Sequence, residues 1–203
     1  MGAGDHAKVV LETLWAVGTF DVVGLLDPHP TNLEVLGVPV LGGDELLPGL
    51  LREGVGAAVV AIGSNIRRQQ VGQHLLAMGF ALPFVAHPSA IISPSARIGQ
   101  GAVVMAKAVV GTLAIIGDLA IINTGAIVEH DNLIGRGVHI GPGTILAGRV
   151  SVGDRTLVGV GSAVRPGISI GQDSIVGAGS AIVADVPSGV IVAGTPARRL
   201  PTK

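Results

Sequence analysis

The sequence predicts two units of different kind. A small doubly wound α/β domain is expected over residues 1–86, and a parallel β-coil of triangular cross-section over residues 87–187, followed by a tail at 188–203. Three observations carry this reading. The second half repeats with a period of six, the first does not, and the composition suits a core built without rings: 48% hydrophobic yet 2% aromatic, with 32 glycines in 203 residues.

The N-terminal unit alternates helices and strands. Gly2-Ala3-Gly4-Asp5-His6-Ala7-Lys8 is a glycine loop running into a helix from Ala7 to Val17, an arrangement that aims backbone N–H groups at phosphate. Only Met1 stands before the loop, so the strand expected there is missing. Asp5 occupies the place of a third loop glycine, where it repels phosphate but caps a helix. A strand from Asp21 to Leu26 ends at Asp27, which is placed either to accept from a ribose or base or to serve as the turn residue before Pro28. A helix from Asp44 to Arg52, a buried strand from Ala57 to Ile62 and a helix from Asn65 to Met78 complete a small Rossmann-like fold. Ile62-Gly63-Ser64-Asn65 puts Ser64, Asn65 and Arg67 on a loop after a strand, where a ligand is met; capping alone also accounts for Ser64. Nucleotide-sugar binding and a purely structural role both fit this domain. His87-Pro88 through Pro94 marks the junction, since proline cannot donate within a continuing strand.

From Ile92 onward every sixth residue is aliphatic, through Val104, Ile116, Val128, Ile140, Val158 and Val176 to Ile182, sixteen positions of which fifteen are β-branched. Four places after each, Ala, Ser or Thr stands in eleven of the sixteen hexads, and one place after each, Gly stands in nine. Six fits neither a helix nor a long strand. It fits a short strand plus a corner, in which the small and the aliphatic residue share the inner face. Three hexads close a triangle, so about five coils stack β-branched residue on β-branched residue at a rise of roughly 4.8 Å each.

Composition narrows the function. A net charge of −1 with so few aromatics argues against nucleic acid as a partner. Zero cysteines exclude disulfides, thiolate metal sites and a cysteine nucleophile. Lys107, Asp118 and Glu129 interrupt the apolar runs, so no membrane span is expected, and no secretory leader is signalled; a cytoplasmic location is the expectation. Of six histidines, His29, His74 and His87 suit surface or loop roles. His130 falls at a corner within Val128-Glu129-His130-Asp131-Asn132, and His139 at an outward strand position. Nine residues separate them, half of a coil, so they face opposite parts of one prism and converge only across a subunit boundary. No third histidine accompanies them, which disfavours a zinc site.

The Ile-Gly-x-x-Ala-x hexads resemble those of the hexapeptide-repeat acyltransferases, whose fold is a left-handed parallel β-helix and whose usual assembly is a trimer. Gly2-Ala3-Gly4, Ile62-Gly63-Ser64-Asn65, Asn123-Thr124, Val128-Glu129-His130-Asp131, His139 and Gly194-Thr195-Pro196-Ala197-Arg198 sharpen the resemblance to the sialic acid O-acetyltransferase and bacillosamine-pathway UDP-sugar N-acetyltransferase family. It implies acetyl-CoA as donor, no metal, and as acceptor an amino or hydroxyl group of a nucleotide-linked or activated sugar in cell-surface glycan synthesis. His130 is then the expected general base, Asp131 its orienting carboxylate with Glu129 as alternative, and His139 a donor to the thioester oxygen. The pantetheine arm is expected along Gly141, Gly159 and Gly177, which are equally accounted for as ordinary repeat glycines. Arg198 is expected near the CoA phosphates, or else in a solvated basic tail. The acceptor is assigned to Gly2, Gly4, His6, Asp27, Ser64, Asn65, Arg67 and Asn123. The alternative is a non-catalytic trimeric scaffold or sugar-nucleotide-binding module.

Overall fold

A computed structural model describes residues 1–201. In the N-terminal unit, helix α1 (Asp5–Val17) starts two residues earlier than expected, because Asp5 lies in its first turn rather than at its cap. Gly4 is the N-cap and offers no side chain; Asp5 instead pairs with Lys8 at 2.9 Å. The strand expected over Asp21 to Leu26 shortens to β1 (Leu25–Leu26), since its partner β3 (Val38–Gly42) reaches only these two residues. An unforeseen hairpin joins β2 (Glu34–Val35) antiparallel to β3 through Leu36 and Gly37, both at positive φ.

The segment expected as a strand from Ala57 to Ile62 forms only a bridge between Ala57 and Ala81. Its other neighbour is Met1, whose amino group donates to the Val59 carbonyl at 2.9 Å and whose carbonyl accepts from Ala61 N–H at 2.8 Å. Gly2 N–H then reaches the Leu26 carbonyl at 2.8 Å, so Met1 and Gly2 bridge this segment to β1. The expected second helix begins as a 3₁₀ turn, Asp44–Leu46, and continues as α2 (Leu47–Arg52). Helix α3 (Asn65–Ala77) is capped by Ser64, whose hydroxyl accepts from Arg67 N–H.

The repeat builds a parallel β-helix of two-residue strands. Its first face carries Val85–Ala86, Val103–Val104, Ile121–Ile122, His139–Ile140, Leu157–Val158, Ile175–Val176 and Ile191–Gly194, ended by the antiparallel Ala197–Arg199. The prism thus begins at Val85, ahead of the expected junction, and Pro88 and Pro94 sit at its corners. Ile191–Gly194, expected in the tail, joins the prism, since Ile191 pairs with Ile175 in the ladder. Up to Ile182 the pairing keeps an offset of eighteen residues, Ile121 lying beside both Val103 and His139.

Inward side chains explain the composition. Val104, Ile122, Val128, Ile140, Leu146 and Val158 are wholly buried in one column-filled core, as are Ala102, Ala108, Ala114, Ala120 and Ala126. Each such aliphatic contributes about 1.5–3 kcal/mol of transfer free energy. The recurring glycines answer to stacking. A Cβ on Gly117 would stand 2.7 Å from the Gly135 carbonyl carbon of the next coil. The corners instead use a left-handed residue, and this need not be glycine: Leu113, Asp131, Arg149 and Asp173 all take φ between 56° and 59°.

The α/β unit lies on the first face. Ala7, Val10 and Leu14 of α1 pack with Val85, Val103 and Met105, while Leu119 of the prism enters the cluster of Val60, Val71 and Leu75. Gly72 of α3 leaves room for the Leu119 side chain. These contacts fix α1 and α3 over the strand that carries His139.

Candidate active site

His130 stands at the corner after Ile127–Val128, half exposed, with Nδ1 2.8 Å from Asp131 Oδ2. Adjacent residues can pair this way because Asp131 adopts the left-handed conformation, which a short polar side chain tolerates. Glu129 does not reach the ring; its Oε2 accepts from His130 N–H at 3.2 Å. Asn132 is buried beneath the corner, where most hexads carry Ala, Ser or Thr, and its side chain accepts from Val150 N–H and donates to the Leu146 carbonyl. One coil on, Gly148 lies against the imidazole, so that any Cβ there would collide with His130 Nε2. Asp131 orients Nδ1 and leaves Nε2 as the basic nitrogen.

A second cluster forms on the first face, where the two units meet. Thr124 N–H donates to Asn123 Oδ1 at 2.8 Å, which turns the Asn123 Nδ2 toward His139 Nε2 at 2.9 Å. An amide nitrogen only donates, so His139 Nε2 is unprotonated and its proton sits on Nδ1. His6 of α1 approaches to 6.4 Å between ring centroids, and its buried Nε2 has no hydrogen-bond partner among the described residues. Burial, reinforced by the charge of Arg68, lowers the His6 pKa to about 4. The same two causes and His6 itself lower His139 to about 4. Both rings are neutral at pH 7. A cleft of about 290 Å³ opens beside His139, lined by Gly63, Ser64, Asn65, Ile66, Arg155 and Leu157.

Several sequence-predicted site residues are occupied elsewhere. The Asn65 amide donates to the Arg155 carbonyl at 2.8 Å and the Thr156 carbonyl at 3.2 Å, and its oxygen accepts from Arg68; it ties the units together at the edge of the cleft. Asp27 Oδ2 accepts from Ala3 N–H at 2.9 Å and Oδ1 from His29 N–H at 3.0 Å, so it braces the glycine loop from within. Gly2 needs its positive φ of 93° because a Cβ would stand 2.8 Å from the Ala61 carbonyl oxygen, whereas Gly4 faces open space. Arg67 is exposed on α3.

Gly141, Gly159 and Gly177 pack directly against the following turn of their own chain. A Cβ at Gly141 would meet Val158 O at 2.8 Å, at Gly159 Ala178 N at 2.7 Å, and at Gly177 the Ala193 Cβ at 2.8 Å, so the next turn of chain fills the vacated space. Arg198 is exposed on the antiparallel strand Ala197–Arg199, and its guanidinium donates to the Ala197 carbonyl.

His130 and His139 lie on opposed parts of the prism, as the half-coil spacing requires. Sequence reasoning missed Arg68, which reads as an exposed helical cation yet is fully buried, and Gly148, which no pattern distinguishes. Asn132 was visible as a break in the small-residue column. Among the described residues no three His, Asp or Glu side chains gather as metal ligands, and no helix is long and apolar enough to cross a membrane.

Comparison with known proteins bears on the family. Residues 1–75 match the profile of the PglD N-terminal domain, and residues 149–184 that of the hexapeptide repeat of succinyl-transferase. No match is found among curated proteins. PerB from Caulobacter crescentus, solved with CoA and GDP-perosamine, is 48% identical with a TM-score of 0.94 over 98% of this chain and 95% of that one. A variant of the perosamine N-acetyltransferase of the same organism, with one histidine replaced by asparagine, superposes with a TM-score of 0.96 at 48% identity over 99% of this chain and 95% of that one. The acetyltransferase domain of PglB from Neisseria gonorrhoeae, in complex with acetyl coenzyme A, is 44% identical over 98% of this chain and 96% of that one, with a TM-score of 0.94. The chain belongs to the hexapeptide-repeat sugar acetyltransferases that join a PglD N-terminal domain to a left-handed parallel β-helix.

Proposed function

We propose that the protein transfers the acetyl group of acetyl-CoA to the amino group of a nucleotide-linked sugar, with His130 as general base. The observation that carries the assignment of the base is the His130–Asp131 pair at 2.8 Å on a half-exposed corner. Amine is favoured over hydroxyl because the 48% identical neighbours are a perosamine N-acetyltransferase and a complex with GDP-perosamine. His130 Nε2 takes a proton from the amine as its nitrogen attacks the thioester carbonyl, and Asp131 stabilises the imidazolium. The tetrahedral oxygen becomes negative and accepts from the Nδ1–H of neutral His139, a tautomer that Asn123 enforces. Collapse expels the CoA thiolate, which recovers the proton from His130. The charges and protons balance without a metal.

One chain cannot bring both imidazoles to one thioester. A homotrimer, in which the corner of one prism faces the first face of the next, gives three equivalent sites. His6, whose buried Nε2 has no partner among the described residues, is assigned to the acceptor side. The reaction is assigned to the cytoplasm, where CoA thioesters are available, within cell-surface glycan synthesis. The test is steady-state acetyl transfer to nucleotide-linked amino sugars. His130→Ala is expected to lower kcat by at least about 10²-fold with the oligomer intact, and near-normal turnover would remove His130 as the base. Absence of acetyl-CoA binding by calorimetry would instead leave a scaffold.

A further inference from the structure

We infer that Arg68 is a positioning residue for acetyl transfer, holding the Ile62–Asn65 loop and the coil that carries His139 in one register around a charge that no carboxylate among the described residues neutralises. The inference rests on the role proposed for His139.

All five guanidinium N–H groups are used. Toward the α/β unit, Nη1 donates to the Ile62 carbonyl at 2.9 Å and the Gly63 carbonyl at 3.1 Å, and Nη2 to Asn65 Oδ1 at 2.8 Å. Toward the prism, Nε donates to the Leu119 carbonyl at 2.8 Å, and Nη2 to the Gly137 carbonyl at 2.8 Å and the Val138 carbonyl at 3.4 Å. Gly137 and Val138 immediately precede His139. A single planar group therefore sets the separation between the loop that lines the cleft and the histidine at its edge. Lysine, a point charge with three donors, cannot span the same acceptors.

The charge has a purpose distinct from the hydrogen bonds. Burying an unpaired cation is costly, and well-packed apolar side chains hold two surfaces together as firmly. What a cation adds is positive potential. Arg68 remains protonated at neutral pH, its pKa lowered by burial only to about 10. The titratable and charged groups that face His139 are Arg68 from α3, His6 from α1, and the Arg155–Asp173 pair from the following coils. Arg155 and Asp173 oppose one another at 2.6 Å, so the uncompensated charge is that of Arg68. It disfavours imidazolium at both His6 and His139, keeping one as a neutral Nδ1–H donor and the other with an open ring nitrogen.

The experiment compares Arg68→Lys and Arg68→Met with the wild-type oligomer, measuring kcat, both KM values and the ring titrations of His6 and His139 by ¹⁵N NMR. Arg68→Lys keeps the charge and loses the fork. It is expected to leave the ring titrations low while kcat falls at least about ten-fold from misplacement, with the KM for acetyl-CoA within about two-fold. Arg68→Met loses both, and the two rings are expected to titrate at higher pH. Wild-type kcat in a folded Arg68→Lys enzyme, or unmoved ring titrations in Arg68→Met, overturns the inference. If Arg68→Met does not fold, Arg68→Lys alone decides through kcat. Failure of the wild type to acetylate any sugar would sink the proposed function, while the ring titrations still decide whether Arg68 sets the charge state of the pair.

Discussion

Lowering the pH from 7 to 5 probes the two imidazoles at the junction of the units. In the folded chain His6 and His139 are each depressed from 6.5 to about 4. Between those limits the unfolded chain binds protons that the folded chain refuses, so stability falls as pH drops through 6.5 and levels off near 4. At pH 5 an unfolded ring is largely charged and a folded one neutral, a difference of about 2 kcal/mol per ring. His6→Asn removes one of the two groups. Urea unfolding at fixed protomer concentration, at pH 7 and pH 5, is expected to show about 2 kcal/mol less acid destabilisation in the variant than in the wild type. An identical loss in the two proteins would falsify the claim that His6 is held neutral by burial and Arg68, whatever its part in catalysis.

Two further substitutions test the prism itself. Gly148→Ala puts a methyl against His130 Nε2 and must swing the ring off Asp131; kcat is expected to fall about 10²-fold with sedimentation unchanged, and retained turnover would show that the ring position is not catalytic. Ile140→Ala empties a fully buried place in the central core, with an expected loss of about 2–5 kcal/mol in urea unfolding; a loss below 1 kcal/mol would mean that neighbouring coils collapse into the gap.

The prism was legible in the sequence because its geometry imposes a strict rule on every sixth side chain. Ala102 and Val104 announce themselves as inward residues without any knowledge of the rest. The corners were less so: Arg155 and Leu113 hold the left-handed turn that glycine holds elsewhere, because ladder bonds on both sides outweigh a local preference of about 1–2 kcal/mol. The α/β unit was harder, since Ala57 to Ile62 has a strand's composition but, among the described residues, exchanges backbone hydrogen bonds only with Met1 and Ala81. His130 and Asp131 could be paired from adjacency. Arg68 could not be found that way, because its partners lie 51 and 69 residues away along the chain and exist only once α3 docks on the prism. The same docking makes His6 a neighbour of His139, so half of the electrostatics of the site belongs to an interface that no local pattern records.

The strand that carries His139 is the fourth of the seven parallel strands on its face. In a stack whose coils touch only their neighbours, opening starts at the ends and must consume coils one by one. The chemistry proposed for His139 therefore falls at the deepest point of a one-dimensional solid. Opening at the last strand would have to pass Ile175–Val176 and Leu157–Val158 before reaching His139, and the first strand, at Val85, is held down by Ala7, Val10 and Leu14 of α1.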